Sequence, residues 1–192
     1  MARNTAEGME ATRTALLDAA RVLFAANGYA DTATPDIVAG ASVTRGALYH
    51  HFADKRALFR AVAEREGARV GEEIEARAAP ASSPRAALVR GAAAYFDAMA
   101  VEGRTRLLLV EAPAVLGAAN IDKDHAEESL RRGLADFLSG NGRESLLDPL
   151  TALVSAAFDR AALAIEAGGS RKDYEAAVAV LIDGLGTGSS DS

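Results

Sequence analysis

Thr44, Arg45, Gly46, Ala47, Tyr49 and His50 crowd into one short stretch. Their side chains suit one kind of chemistry. An arginine forks onto a guanine edge or a phosphate, while Thr, Tyr and His reach phosphate oxygens. Gly46 and Ala47 are small, so the backbone there can lie close against a surface. Thr34 upstream adds a hydroxyl. Lys55 downstream adds a cation at a helix start, where free N–H groups also favour a phosphate. This set predicts contact with double-stranded DNA. An ordinary solvated helix is the plain alternative. What separates the two is whether the neighbouring elements hold the stretch as a reading head.

Other chemistries find little support. His50 and His51 are adjacent, so on a helix they point about 100° apart and cannot share one ion. The third histidine, His125, is far along the chain, and zinc needs three or four convergent ligands. With no cysteine, disulfides, thiolate metal sites and a Cys nucleophile are excluded. Asp122 and His125 form a lone Asp-x-x-His, without the second copy that a bundle di-metal site requires. Neither G-x-S-x-G nor His-Glu-x-x-His occurs. Gly184 to Gly188 neither follows a strand nor opens a helix, so it is no phosphate loop. No metal, no cofactor and no enzymatic activity are expected.

The elements around the polar cluster read as two short helices. Thr34 followed by Pro35 is a helix start, with the hydroxyl as cap and proline where no N–H is needed. Asp36 falls in the first turn, where the helix dipole favours an acid. Ile37 and Val38 supply the buried face. Gly40-Ala41-Ser42-Val43 breaks the helix. Thr44 caps a second one, Arg45 to about His51, with Leu48 facing inward. Two short helices joined by a tight turn are a helix-turn-helix, whose second helix reads bases mainly from its N-terminal residues, here Thr44 to Ala47.

Thr32…Ile37…Ala41-x-Val43-x-x-Gly46-x-Leu48-Tyr49-x-His51-Phe52-x-x-Lys55-x-x-Leu58 resembles the DNA-binding signature of the TetR family of bacterial transcriptional regulators. The resemblance is strong from Thr12 to Val62 and weaker through the rest. Two positions depart from the family pattern. Ser42 stands where glycine is usual in the turn, and Ala33 where a second threonine is frequent. The stretch LLLVEAPAVLG, Leu107 to Gly117, is similar to a segment of one subgroup. The resemblance implies a homodimer paired through its two C-terminal helices, with recognition helices ~34 Å apart on a near-palindromic operator. It also implies an unidentified small-molecule effector bound in the second domain.

Charge agrees with that division of labour. The net charge is −6, unpromising for a DNA binder taken whole. Residues 1–60 hold seven Lys/Arg against six Asp/Glu, whereas residues 61–192 hold 14 against 21. The acid therefore lies away from the reading stretch, where Arg45, Lys55, Arg56 and two histidines give a locally positive face. Arg3 and Arg13 are possible additions from an N-terminal arm.

Along the chain the pattern is all-α. Nearly half the residues are apolar, enough for a sizeable core. Residues 1–9 read as frayed. A helix from about Glu10 to Asn27 ends at Gly28 and completes a three-helix domain with Phe24, Ile37, Val43, Leu48 and Phe52 as core. Asp54 caps a long helix to about Ala78. A linker, residues 79–84, precedes a helix carrying Leu88, Tyr95, Phe96 and Met99. A short helix from Arg104 to Glu111 stops near Pro113, leaving Val115, Leu116 and Gly117 in an apolar connection. Further helices run from about Asp122 to Leu138, from Asp148-Pro149 to Gly168, and from Ser170 to Leu185. The expected domains are a helix-turn-helix domain, residues 1–56, a helical ligand-binding and dimerisation domain, residues 57–186, and a flexible tail, residues 187–192. Ligand-site candidates in the second domain are Tyr95, Phe96, Met99, Arg106, Val110, Leu116, Phe137 and Phe158, with Arg104, Glu111 and His125 as further polar groups. Each apolar member is also an ordinary core residue, and their interest lies in the group.

The favoured function is a DNA-binding regulator, a repressor released by a small molecule. The alternatives are a helical small-molecule binder without DNA affinity, to which only Ser42 and Ala33 point, and a purely structural dimerisation module. No run is long enough to cross a membrane and the N-terminus lacks an apolar signal core, so a cytoplasmic location without membrane contact is expected.

Overall fold

The structure, a computed structural model, describes residues 2–77, 81–117 and 124–186. All regular elements among the described residues are helices. In chain order they are α1 Ala2–Asp31, α2 Thr34–Gly40, α3 Arg45–His51, α4 Lys55–Arg77, α5 Pro84–Met99 and α6 Arg104–Arg106. A π-helical turn, Leu107–Glu111, then leads into α7 Ala112–Leu116. The chain continues through α8 Asp124–Leu138, α9 Leu147–Glu166 and α10 Arg171–Gly186. None of the described helices is long and apolar enough to cross a membrane.

The chain forms two compact units. The first holds residues 1–66 and 102–121, the second residues 67–101 and 122–192. The break does not fall at residues 56 and 57, where the sequence suggested it. Helix α4 carries its first half into one unit and its second into the other. Residues 102–117 join the N-terminal unit, because Leu107, Ala112 and Leu116 bury their side chains in its core. That core also gathers Leu16, Leu17 and Phe24 of α1, Ile37 of α2, Leu48 of α3, and Leu58, Phe59 and Val62 of α4. Phe59 meets Phe24 edge-on at 4.9 Å between ring centres. Complete burial of a Leu or Phe side chain stabilises by ~1.5–3 kcal/mol, which fixes the three short elements against α1 and α4.

Local signals explain most boundaries. Thr44, Asp54, Ser83 and Ser170 each accept a backbone N–H of the first turn, from Ala47, Ala57, Ala86 and Asp173. Three expectations need correction. First, residues 2–9 are helical, not frayed: no proline precedes Gly28, and an isolated glycine such as Gly8 costs only about 1 kcal/mol. Second, Thr34 does not cap α2. Ala33 is the N-cap and its carbonyl accepts from Asp36 and Ile37, which places Thr34 inside the first turn beside Pro35. Third, Pro113 does not stop its helix. Proline lacks an N–H and crowds the carbonyl four residues back, and the wider π turn just before it absorbs the mismatch. Ala112 N–H bonds the Leu107 carbonyl, five residues back, and the helix runs on through Val115 and Leu116. The linker's first residues 79 and 80, the start near Asp122, the Arg3 and His125 side chains, and the tail lie outside the described residues.

In the second unit α5, α8, α9 and α10 pack on one another. Its interior includes Leu88, Tyr95, Phe96, Met99, Leu134, Leu138, Phe158 and Ile182.

Candidate nucleic-acid interface

Helix α3 presents its polar residues outward because one side chain, Leu48, is fully buried and fixes its rotation. Thr44, Arg45, Gly46, Tyr49 and His50 are exposed, and Ala47 is half-buried. Arg45 and Tyr49, four residues apart, share one face, and the guanidinium carbon lies 5.5 Å from the ring centre. This cation–π contact, worth about 0.5–1 kcal/mol at an exposed site, couples the two side chains on the outer face of the helix. Gly46 has open space around it: a Cβ there would meet only Thr44 Oγ1, at 3.8 Å. Internal packing therefore does not demand glycine, and the bare backbone faces outward.

The turn before α3 is a Schellman motif. Ser42 N–H bonds the Ala39 carbonyl at 3.1 Å and Val43 N–H bonds Val38 at 3.2 Å. Its C′ residue, Ser42, sits at φ +55°, the one described non-glycine residue with positive φ. The turn thus has the usual geometry despite the serine.

Thr34 is half-buried at the start of α2. Lys55 departs from expectation. Its ammonium donates to the carbonyls of Tyr29 at 2.8 Å, Thr32 at 3.0 Å and Ala30 at 3.5 Å, and lies 4.3 Å from the Tyr29 ring centre. Three donors engaged on carbonyls leave no strong donor for a phosphate. Lys55 closes the open C-terminal end of α1 instead. Arg56 is exposed, but its guanidinium is engaged on the carbonyls of Val115 at 3.1 Å and Leu116 at 3.3 Å. Arg13 lies over Phe52, 5.7 Å from its ring centre, and His50 meets His51 edge-on. Among the described residues near α3, Arg45, His50 and the partly exposed Arg13 are accessible, and Arg56 is exposed with its guanidinium engaged on carbonyls.

The ligand-site candidates separate. Tyr95, Phe96 and Phe158 form one aromatic cluster in the second unit, with ring centres 5.9–6.1 Å apart, and Met99 is buried in the same unit. Tyr95 Oη donates to Asp159 Oδ1 at 2.6 Å. Burial and then the adjacent carboxylate push the Tyr95 phenol far above its ordinary value. Phe137 is half-buried with its ring against Gly186. Arg106, Val110 and Leu116 belong to the other unit. Leu116 is a core residue there, and Arg106 pairs with Glu111. Arg104 is no pocket lining either, since its guanidinium meets Glu66 in the interior at 3.1 Å.

Residues 16–62 match the model of bacterial regulatory proteins of the tetR family. Residues 85–188 match the tetracyclin repressor-like C-terminal domain. The chain belongs to the TetR family. Members are DNA-binding transcriptional regulators of the helix-turn-helix type. A TetR-family regulator from Pectobacterium atrosepticum is 34% identical, with a TM-score of 0.72 over 93% of this chain and 94% of that one. The transcriptional regulator AcrR of Shigella flexneri is 36% identical over 57% of this chain and 51% of its own length. The repressor AcnR of Corynebacterium efficiens is 36% identical over 33% of this chain and 34% of its own. The chain thus spans about half or less of the length of these two curated relatives.

Sequence reasoning missed Glu111 and Arg56 as structural clasps. Both sit next to well-marked motifs, but a long-range bond to a backbone group leaves no periodic trace.

Proposed function

We propose that the chain is a repressor that binds a near-palindromic operator as a homodimer and is released by a small molecule. The observation that carries this reading is the outward face of α3, where Arg45, Tyr49 and the open backbone at Gly46 form one preorganised surface. Thr44, Ala47, His50 and Thr34 border it. In this reading Arg45 reads a guanine, the Thr44, Tyr49, His50 and Thr34 side chains hold phosphates, and Gly46 and Ala47 let the backbone lie close to the DNA. Pairing runs through α9 and α10. The effector is an apolar or aromatic molecule held near Tyr95, Phe96, Met99 and Phe158, with the Tyr95–Asp159 pair as its polar anchor. Its effect on operator affinity is no larger than its differential affinity for the two states.

The test is fluorescence anisotropy with labelled DNA from upstream of the chain's own gene, at two salt concentrations and with unrelated competitor DNA. Tight, salt-sensitive binding that resists the competitor is expected. Arg45→Ala should then cost ~1–3 kcal/mol and relax base preference. An equal loss on every sequence would reduce Arg45 to a phosphate contact. No binding even at low salt would sink the regulator reading.

A further inference from the structure

The joint between α1 and α2 is clasped from several sides within the N-terminal unit. Gly28 breaks α1 at φ +80°. Thr32 Oγ1 donates back to the carbonyls of Gly28 at 2.7 Å and Leu23 at 3.2 Å. Lys55 holds the carbonyls that follow. One more clasp comes from a distant stretch of chain. Glu111 Oε2 accepts the Tyr29 N–H at 3.2 Å, while Oε1 pairs with Arg106 Nη2 at 3.1 Å. The Arg106–Glu111 pair lies directly on the break: a Cβ on Gly28 would be 2.5 Å from Arg106 Nη2 and 2.6 Å from Glu111 Oε1. The positive φ is what favours glycine at position 28, and any side chain there would also push aside the ends of Arg106 and Glu111.

The geometry points to Glu111 as the positioning residue through which residues 104–116 set the α1–α2 joint, and with it the attitude of the recognition helix. This rests on the DNA-binding reading of α3 and names a control on it. The segment is pinned at both ends. At its start Gly103, φ +71°, lies so close to α1 that a Cβ would stand 2.6 Å from that of Ala25. At its end Arg56 holds the last carbonyls of α7. The π turn Leu107–Glu111 lies between these pins and aims Glu111 at Tyr29. One residue of helical register turns a side chain by about 100°, so a return of this turn to α geometry swings Glu111 off the joint.

Three variants of the full chain test this: Glu111→Ala, Glu111→Gln and Arg106→Ala. The probe is a labelled duplex selected by the wild-type protein from a random-sequence pool. Backbone hydrogen exchange of the free protein is measured alongside. Glu111→Ala should weaken duplex binding about tenfold, as expected when the Tyr29 N–H loses its acceptor. It should also speed exchange through α2 and α3, not only at Tyr29. Glu111→Gln keeps an oxygen acceptor and should restore most of both. Arg106→Ala keeps the Tyr29 bond and should resemble wild type. The proposal is overturned if the exchange change in Glu111→Ala stays within residues 28–30, or if Glu111→Gln is as impaired as Glu111→Ala. Should the wild-type chain enrich no duplex, the DNA-binding reading fails by itself, and the exchange pattern still decides the role of Glu111.

Discussion

Ser42 shows how a single residue can be tolerated against its own preference. A left-handed conformation costs an L-residue roughly 1–2 kcal/mol. The Schellman hydrogen bonds of the turn hold Ser42 there all the same. Its side chain is exposed. Glycine at this position removes the steric cost but adds freedom to the unfolded chain, worth about 0.4–1 kcal/mol in the other direction. Ser42→Gly should therefore stabilise the protein by about 0.5–1 kcal/mol net, read as a higher urea midpoint with unchanged slope. Operator affinity should hold or rise, because α3 keeps its placement. A lower midpoint would mean that the serine makes a compensating contact. The serine and its position in the turn were legible in the sequence, since Gly40-Ala41-Ser42-Val43 interrupts the apolar period. So was Thr44 as a cap. Lys55 was not: its cation reads the same in sequence whether it meets a phosphate or three carbonyls, and only the path of α1 decides.

At the scale of elements, apolar spacing and caps gave the helices, while the charged interior stayed hidden. Glu66 is fully buried and Arg104 is only 4% exposed. Glu66 Oε2 accepts from Arg104 Nε at 3.1 Å and from Arg21 Nε at 3.4 Å, which ties α4 to α6 and α1. The long helix shows Glu66 at four-residue spacing with Leu58, Val62, Val70 and Ile74, so its place on the buried stripe was visible. Its partners Arg104 and Arg21, 38 and 45 residues away, were not. The segment after Gly103 was also misjudged, because a proline normally ends a helix and a π turn has no reliable sequence mark. Removing one member of a buried pair strands the other and costs ~3–5 kcal/mol, whereas replacing both with apolar residues of similar size is far milder. Glu66→Leu alone should thus lower stability by that amount. The double variant Glu66→Leu with Arg104→Met should recover most of it in chemical denaturation. Losses that simply add would show that the two charges do not act as a pair.

At the scale of the whole molecule, the outer face of α9 and α10 is the feature that a single chain leaves unexplained. Leu153 is 67% exposed, Val180 70% and Leu181 54%. Beside them lie the exposed small residues Ala152 and Ala156 on α9, and Ala176, Ala177 and Gly184 on α10. Small residues let two helix pairs approach closely, and isolated large apolar groups gain ~1.5–3 kcal/mol each on full burial. A second copy covering this face by a two-fold axis buries the same residues twice. Leu153→Glu together with Val180→Glu puts four charges into such an interface and should give a monomer by light scattering, with helical content unchanged. The consequence for DNA follows from effective concentration. A dimer engages its second half-site at millimolar local concentration, so losing the pairing should lower affinity for a full palindrome by roughly 10²–10⁴. Affinity for an isolated half-site should stay put, since α3 and its supports lie in the other unit. A variant that remains a dimer would move the pairing surface elsewhere. A monomer with undiminished palindrome affinity would mean that the operator is read by one chain at a time.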